Sequence, residues 1–357
     1  MSMFSYNDIA IPISWPDQTA RGDEKWMAYL KKLGLVKNLN FKVGHAAILL
    51  IERKSGEIRY YDFGRYLVPR GYGRARSVEF DPRLEISTKA DINTEGKISN
   101  MQEILEELKQ REDATHGGGR LLFSVCANIS FAKGVAFADK LVAGGPVLYG
   151  ALAPNNNSCS RFVAQVLTCA MEDEDRRQRK ICYPECLKPS PTSNVVNAAK
   201  DEAVFCYHQH MLAPLNMGRK ASLKFQFGLL KENFSKTHKE TLGDDQTDGM
   251  VEAPAKAPGV PHKAQWLGGL GEGAWMHIQD NGSSFTISKY FPDGRIAYSV
   301  QTRCVQQFDV EKPYEFTYNF SFSTYTILQE ENLYIFTSIN KAEPLADSRH
   351  GQIKAIS

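Results

Sequence analysis

No stretch of this chain stays apolar for long. The longest such run, AAILLI at 46–51, is far short of the roughly 18 residues that a membrane helix needs, so no membrane span is expected. The amino terminus, MSMFSYNDIAIPISWPDQ, has no cationic start followed by an apolar run and no small-residue cleavage site. It does not read as a secretory signal and predicts a cytoplasmic address, with export that reads no amino-terminal signal left open. An excess of charge of either sign is also missing: 43 Lys and Arg face 41 Asp and Glu. No overall field is available to hold a polyanion, and nucleic acid is not an expected partner. Cysteine is sparse and odd in number, seven in 357 residues, which argues against a disulfide framework and for free thiols in a reducing compartment. No internal repeat of fixed period runs through the chain.

What the chain does have is enough apolar material, 42% of its residues, for two compact domains. A polar stretch rich in Pro and Gly, THKETLGDDQTDGMVEAPAKAPGVPHK, reads as a linker over 236–262. Before it, at 1–235, helical spacing in DEKWMAYLKKLGLV (23–36) and NMQEILEELKQRE (100–112) mixes with a buried strand in FKVGHAAILLIE (41–52), so an α+β domain is expected. After it, at 263–342, segments such as AWMHIQD, SSFTISKYF, RIAYSVQT and NLYIFTSI alternate with the turn signals Asn281-Gly282 and Pro292-Asp293-Gly294. These predict a small antiparallel β domain, followed by a frayed tail at 343–357. The linker offers few apolar groups, which predicts that the two domains are separable.

The strongest chemical signal is NNNSCSRFVAQVLTCAM at 155–171. Asn157 or Ser158 can cap a helix whose apolar face runs through Phe162, Val163, Val166 and Leu167, which puts Cys159 in the first turn. There the free backbone N–H groups and the positive dipole end favour a thiolate and could hold an oxyanion. His45 lies on a strand among small residues, Gly44, Ala46 and Ala47, so that another element can approach it closely. RKSG (53–56) turns this strand into a hairpin with EIRYYDFGRY (57–66). With a two- or four-residue loop Asp62 falls on the face that carries His45 and can hold the imidazole; a three- or five-residue loop brings Tyr61 or Phe63 there instead.

The order His, Asp, Cys, with GHAAILLI opening a hairpin and NSCSRFV opening a helix, resembles the circularly permuted branch of the NlpC-like papain-fold hydrolases. That branch includes YaeF/YiiX-like and lecithin:retinol acyltransferase-like proteins, in which the nucleophilic cysteine follows the histidine. Within it, the GH strand, the DFGRY segment and SPT-N are most similar to a bacterial domain family of uncharacterised activity, over about 25–215. The resemblance implies a permuted papain-like domain with Cys159 as nucleophile, His45 as base and Asp62 as the polar third residue. It also implies that SPTSNVVNA (190–198) walls one side of the cleft; read from its residues alone, that segment is a capped helix with Ser193 or Thr192 ahead of Asn194.

The remaining features rank lower. Cys126 closes the apolar strand LLFSVC and reads as a core thiol. Cys182, Cys186, Cys206 and His208 lack the tight knuckle of a zinc site, and no metal or cofactor is expected. Around two glycines, RYLVPRGYGRARS (65–77) sets Arg65, Arg70, Arg74 and Arg76, which could clamp a carboxylate or phosphate. The expected substrate contacts are Arg70, Arg74, Ser190, Thr192 and Asn157. GGLGEG (268–273) opens no helix pattern, so it is a weak phosphate loop. The expected activity is hydrolysis of an amide, peptide or isopeptide, by nucleophilic acyl transfer through Cys159. A thiol acyltransferase or lipid-directed hydrolase of the same branch is one alternative. An inactive binding module, whose β domain meets a protein partner, is another.

Overall fold

The computed structural model describes residues 4–22, 29, 31–34, 39–150, 156–199, 203–232 and 251–339. The expected helix over 23–36, most of the linker before 251 and the expected tail at 343–357 fall wholly or largely outside them.

The segment with the longest apolar run forms the centre of a nine-stranded sheet. Strands β1 (Asp8–Trp15) and β4 (His45–Ile51) are buried along their whole length and pair antiparallel, Ile9 opposite Ile51 and Trp15 opposite His45. Both faces of a strand must be covered for such a pattern, and two separate clusters do so. On one side Ile11, Ile13, Ala47, Leu49 and Tyr60 pack with Ile104, Leu105 and Leu108 of helix α1 (Met101–Gln110). On the other, Ala46, Ile48 and Leu50 pack with Phe162, Val163, Val166 and Leu167 of helix α4 (Cys159–Ala170). The strand order is β11 (Met211–Asn216), β10 (Ala203–His208), β7 (Leu121–Ser124), β1, β4, β5 (Ile58–Gly64), β6 (Tyr72–Arg76) and β9 (Val147–Leu148), with β8 (Cys126–Ile129) also on β1. Seven α-helices occur among the described residues.

The RKSG turn has four residues, closed by a Glu52–Glu57 pair, with Gly56 at φ 73°. That length sets β5 (Ile58–Gly64) so that Asp62 stands opposite Ala47. Strand β6 (Tyr72–Arg76) then places Arg76 opposite Asp62.

The chain from Gln265 to Ser338 forms a separate seven-stranded antiparallel sheet, in the order β12 (Gln265–Leu267), β13 (Ala274–Asp280), β14 (Phe285–Tyr290), β15 (Ile296–Cys304), β18 (Asn332–Ser338), β17 (Thr324–Gln329) and β16 (Glu315–Phe320). Its core takes in Leu67 and Phe80 from the first domain, beside Met276, Tyr298, Phe320 and Phe336. Backbone bonds cross as well: the Leu67 N–H donates to the Glu272 carbonyl (2.9 Å) and the Phe322 N–H to the Glu79 carbonyl (2.9 Å). The expectation of separable domains is therefore corrected. It looked only at the linker, whereas the contact is made by the 65–80 segment, whose apolar residues are buried by a partner about 200 positions later.

Candidate active site

Helix α4 begins where the sequence places it, with Ser158 as its cap accepting from the Arg161 N–H (3.3 Å). Asn157 braces that start: its side-chain oxygen accepts from the Ser158 N–H (2.9 Å) and its amide donates to Gln165 (3.0 Å). The helix lies on the Ala46 face of the sheet, whereas Asp62 belongs to the Ala47 face. His45, the first residue of β4, joins the two, because at the strand end its ring can reach both sides. Its Nε2 lies 3.4 Å from Asp62 Oδ2, and the imidazole and the Cys159 thiol are close enough for each to shift the other's titration. With Nε2 on the carboxylate, Nδ1 is left to take the thiol proton. The ring is held by the Trp15 indole, stacked at 5.8 Å and 11°, and by the edge of Tyr66. Gly44, at φ +76°, precedes it at a point where a Cβ would come 3.2 Å from the Trp15 carbonyl and 3.4 Å from the Pro191 ring.

Asp62 is wholly buried. Arg76 forks it, Nε to Oδ1 at 2.9 Å and Nη2 to Oδ2 at 2.6 Å, and the Tyr60 hydroxyl donates to Oδ2 at 2.9 Å. Burial pushes this carboxyl up, but Arg76 and His45 outweigh it and hold it at about 2. Burial likewise works against a charged His45, yet the bonds to Asp62 and Cys159 raise it to about 9. The Cys159 thiol, raised by burial, is drawn below its ordinary value by His45, Ser160 and the Ala46 N–H. The arrangement favours a thiolate–imidazolium pair over the neutral pair near pH 7.

The sulfur and the imidazole open onto a cleft of about 320 Å³ lined by Gln18, Arg21, Arg65, Tyr66, His116 and Tyr149 among others, with Leu270 and Gly271 arriving from the β domain. The carboxamide of Gln18 donates to the Gly118 carbonyl (3.1 Å) and has a second N–H. Together with the helix start it is the kind of donor that can face an oxyanion. Beneath Tyr66 lies a charge cluster that spans both domains. The Arg76 guanidinium stacks on Tyr66 at 3.6 Å, His116 stacks on its ring at 4.4 Å, and Glu272 reaches Arg76, Arg83, His116 and Lys289.

The expected substrate contacts do not line this cleft. Arg74 is buried in the domain interface, where it donates to the Tyr318 and Phe320 carbonyls and stacks on Phe80 and Phe320. Burial drives its guanidinium down to about 9, and it is not accessible to a substrate. Thr192 is buried with its hydroxyl 3.4 Å from Ser14, and Ser190 caps helix α6 (Pro191–Ala198) in a capping box with Ser193. That helix supports α4, the Asn194 amide donating to the Ser160 carbonyl at 2.7 Å. Arg70 is exposed on the loop outside the cleft lining. Asn157 is committed to the helix start, as above.

Gln18, Tyr66, His116 and Glu272 are the residues that sequence reasoning missed as parts of the site, and Arg76, read there as a candidate clamp on the substrate, forks Asp62 instead. The glycines of GGLGEG carried the one usable signal. A Cβ on Gly269 would come 2.8 Å from the Leu67 nitrogen, and one on Gly271 would come 2.9 Å from the Tyr66 ring. The run is glycine-rich because it lies flat on the 65–67 strip. Cys126, read as a core thiol closing the LLFSVC strand, is fully buried but opens β8, because the strand from Leu121 ends at Ser124. Among the described residues no group of three or more His, Cys, Asp or Glu could hold a metal, and no helix is long and apolar enough to cross a membrane.

The sequence model of the type VI secretion system effector TseH-like family matches residues 10–176. A second model, the DUF6695 C-terminal domain, matches residues 264–339. A crystal structure of the type VI secretion system effector TseH aligns with 58% of this chain and 98% of that one, at 17% identity and a TM-score of 0.40. No curated protein matches the chain.

Proposed function

We propose that the chain is a thiol hydrolase that cleaves an amide bond, of a peptide or isopeptide, with Cys159 as nucleophile, His45 as acid and base, and Asp62 as orienter. The observation that carries this reading is the run of contacts from Cys159 through His45 to Asp62 at the mouth of an open cleft. The Cys159 sulfur attacks the acyl carbon, and the new oxyanion meets the N–H groups at the start of α4. His45, protonated at Nδ1, gives its proton to the leaving amine. It then takes one from water, whose oxygen displaces the sulfur and releases the acid. Asp62 keeps the ring turned so that Nδ1 faces the sulfur throughout.

The finer assignment, to the permuted YaeF/YiiX-like branch, rests on the chain order His45, Asp62, Cys159. The match of residues 10–176 to a TseH-like effector family supports a role for this hydrolase as a secreted effector acting outside the cell that makes it. Acyl transfer to an acceptor, the alternative within the branch, uses the same acyl-enzyme and differs only in what attacks it.

The test is incubation of the full chain with peptidyl and fatty-acyl thioester probes, followed by mass-spectrometric mapping of the acylated residue. Acyl accumulation on Cys159 that is lost in Cys159→Ala, and a free acid as product, is the expected result. Transfer to an added amine in preference to water would move the assignment to an acyltransferase. No acyl on Cys159 with any probe would contradict both.

A further inference from the structure

Glu272 belongs to the β domain, yet its carboxylate sits at the centre of the charge cluster that ends on Asp62. Its Oε1 accepts from Arg83 (3.0 Å) and Lys289 (2.9 Å); its Oε2 faces His116 Nε2 (3.4 Å) and Arg76 Nη1 (3.7 Å). Arg76 in turn forks Asp62, and Asp62 holds His45. Lys289 also reaches Asp81 Oδ2 (3.3 Å), the same oxygen that Arg83 Nη2 meets. The cluster is therefore three cations, Arg76, Arg83 and Lys289, against three carboxylates, Asp62, Asp81 and Glu272, all largely removed from water. In such surroundings an unbalanced charge acts over a long range and is costly. The backbone adds position to charge. The Glu272 carbonyl accepts from the Leu67 N–H (2.9 Å), and the Gly271 N–H donates to the Arg65 carbonyl (2.8 Å). These two bonds pin Leu270 and Gly271, which line the cleft, against Tyr66.

We infer that Glu272 is a positioning residue for the cysteine site, and that the thiol, imidazole and carboxylate of the first domain are held in working order only when the β domain supplies it. This rests on the thiol-hydrolase reading of Cys159, His45 and Asp62. Without the Glu272 charge, three cations face two carboxylates, and the potential at His45 becomes more positive, which disfavours the imidazolium. Without the Lys289 charge the imbalance has the other sign and favours it. The groups that face His45 directly are Asp62 from β5, Cys159 from α4, and the Trp15 and Tyr66 rings; Arg76 and His116 stand one layer behind. Neither variant replaces any of these groups. A residue that merely fills the interface moves the imidazole in neither direction, or in the same direction in both.

The experiment uses the full chain with carbon-labelled histidine, the His45 resonance being assigned by its loss in His45→Ala, and reads the titration midpoint of that ring. Glu272→Gln is expected to lower the midpoint by roughly half to one pH unit. Lys289→Met is expected to raise it by a smaller amount, and the double variant to return it close to the starting value. Should one single variant fail to fold, the other compared with the double variant decides by the same signs. Midpoints that do not move, or that move together, would overturn the inference. The thiol-hydrolase reading is judged separately in the same samples, by whether iodoacetamide labelling of Cys159 depends on His45.

Discussion

Cys126 and Cys159 pack against the same apolar cluster between the sheet and helices α3 (Phe131–Ala143) and α4, yet their surroundings drive the two thiols apart. Cys126 opens a strand, has no exposed surface, and meets one polar group, the Arg177 guanidinium at 3.3 Å. Burial pushes its thiol up to about 12. Cys159 opens a helix, is partly exposed, and has an imidazole, a neighbouring hydroxyl and the Ala46 N–H around its sulfur, so its thiol falls below the ordinary value despite the burial penalty. The difference teaches that the apolar setting does not make a reactive thiol here. What sets the Cys159 thiol apart is the helix end and the imidazole braced by a carboxylate.

Removing one pole of the comparison has the largest effect. Cys159→Ser should abolish amide turnover, by at least about a thousandfold, with the thermal transition unchanged, because the side chains are nearly isosteric. Cys126→Ser should leave turnover intact in whatever fraction folds, as measured by acid release per folded chain. The next effect tests the frame around Cys159. A chain ending near 240 exposes Leu67 and Phe80, which contribute roughly 1.5–3 kcal/mol each by burial. It also strands Arg74 and Arg76 without their partners from the β domain. It should lose its cooperative melt by calorimetry, and a truncated chain that melts cooperatively with Cys159 still reactive would show that the shared core is dispensable.

Asp62→Asn narrows the gap between the two cysteines without closing it. It breaks a buried pair, at a cost of about 3–5 kcal/mol in denaturant titration, and weakens the hold on His45 so that Cys159 labels more slowly. The sign of the pH dependence follows from the depressed carboxyl. Asp62 sits near 2 in the folded chain, below the unfolded value of about 3.9. Its contribution is therefore full above about pH 4 and is lost as pH falls through 2; the variant should lack that acid-dependent part. The smallest effect is on alkali. As pH rises through about 9 the His45 imidazolium is lost and amide hydrolysis should decline, while Cys126, near 12, still holds its proton. A pH–rate profile checks this, and a rate that keeps rising past pH 10 would contradict the assignment of His45 as the acid.

The parts of the site legible in the sequence are those fixed by local rules. The cap before Cys159 and the small residues beside His45 each follow from a few neighbouring positions; the hairpin parity that puts Asp62 opposite Ala47 does not, because the loop length leaves Tyr61 or Phe63 as alternatives. The parts that were not legible depend on contacts distant in the chain. Arg74 and Arg76 look alike in sequence, two residues apart on one strand. One meets backbone carbonyls and aromatic rings of the β domain and the other meets Asp62, a distinction that only the facing strands make. Ser190 and Thr192 resembled a cleft wall, but a capping box and a buried hydroxyl account for them. Glu272 sits among glycines whose purpose is visible only once the 65–67 strip lies against them. That a mixed α+β unit precedes an antiparallel sheet could be read from periodicity; the strand order of the two sheets could not. Their shared core could not, since Leu67 and Phe80 carry no mark of which sheet they serve.

The central claim is that Cys159 owes its reactivity to His45. The direct measurement is limited alkylation of the full chain with iodoacetamide at pH 7, each of the seven cysteines quantified by mass spectrometry, in the wild-type chain and in His45→Ala. The account predicts that Cys159 labels first in the wild type and slows roughly tenfold to a hundredfold in the variant, toward the rate of an ordinary thiol. Faster labelling of Cys126 or Cys206, or a Cys159 rate that His45→Ala leaves unchanged, would contradict it.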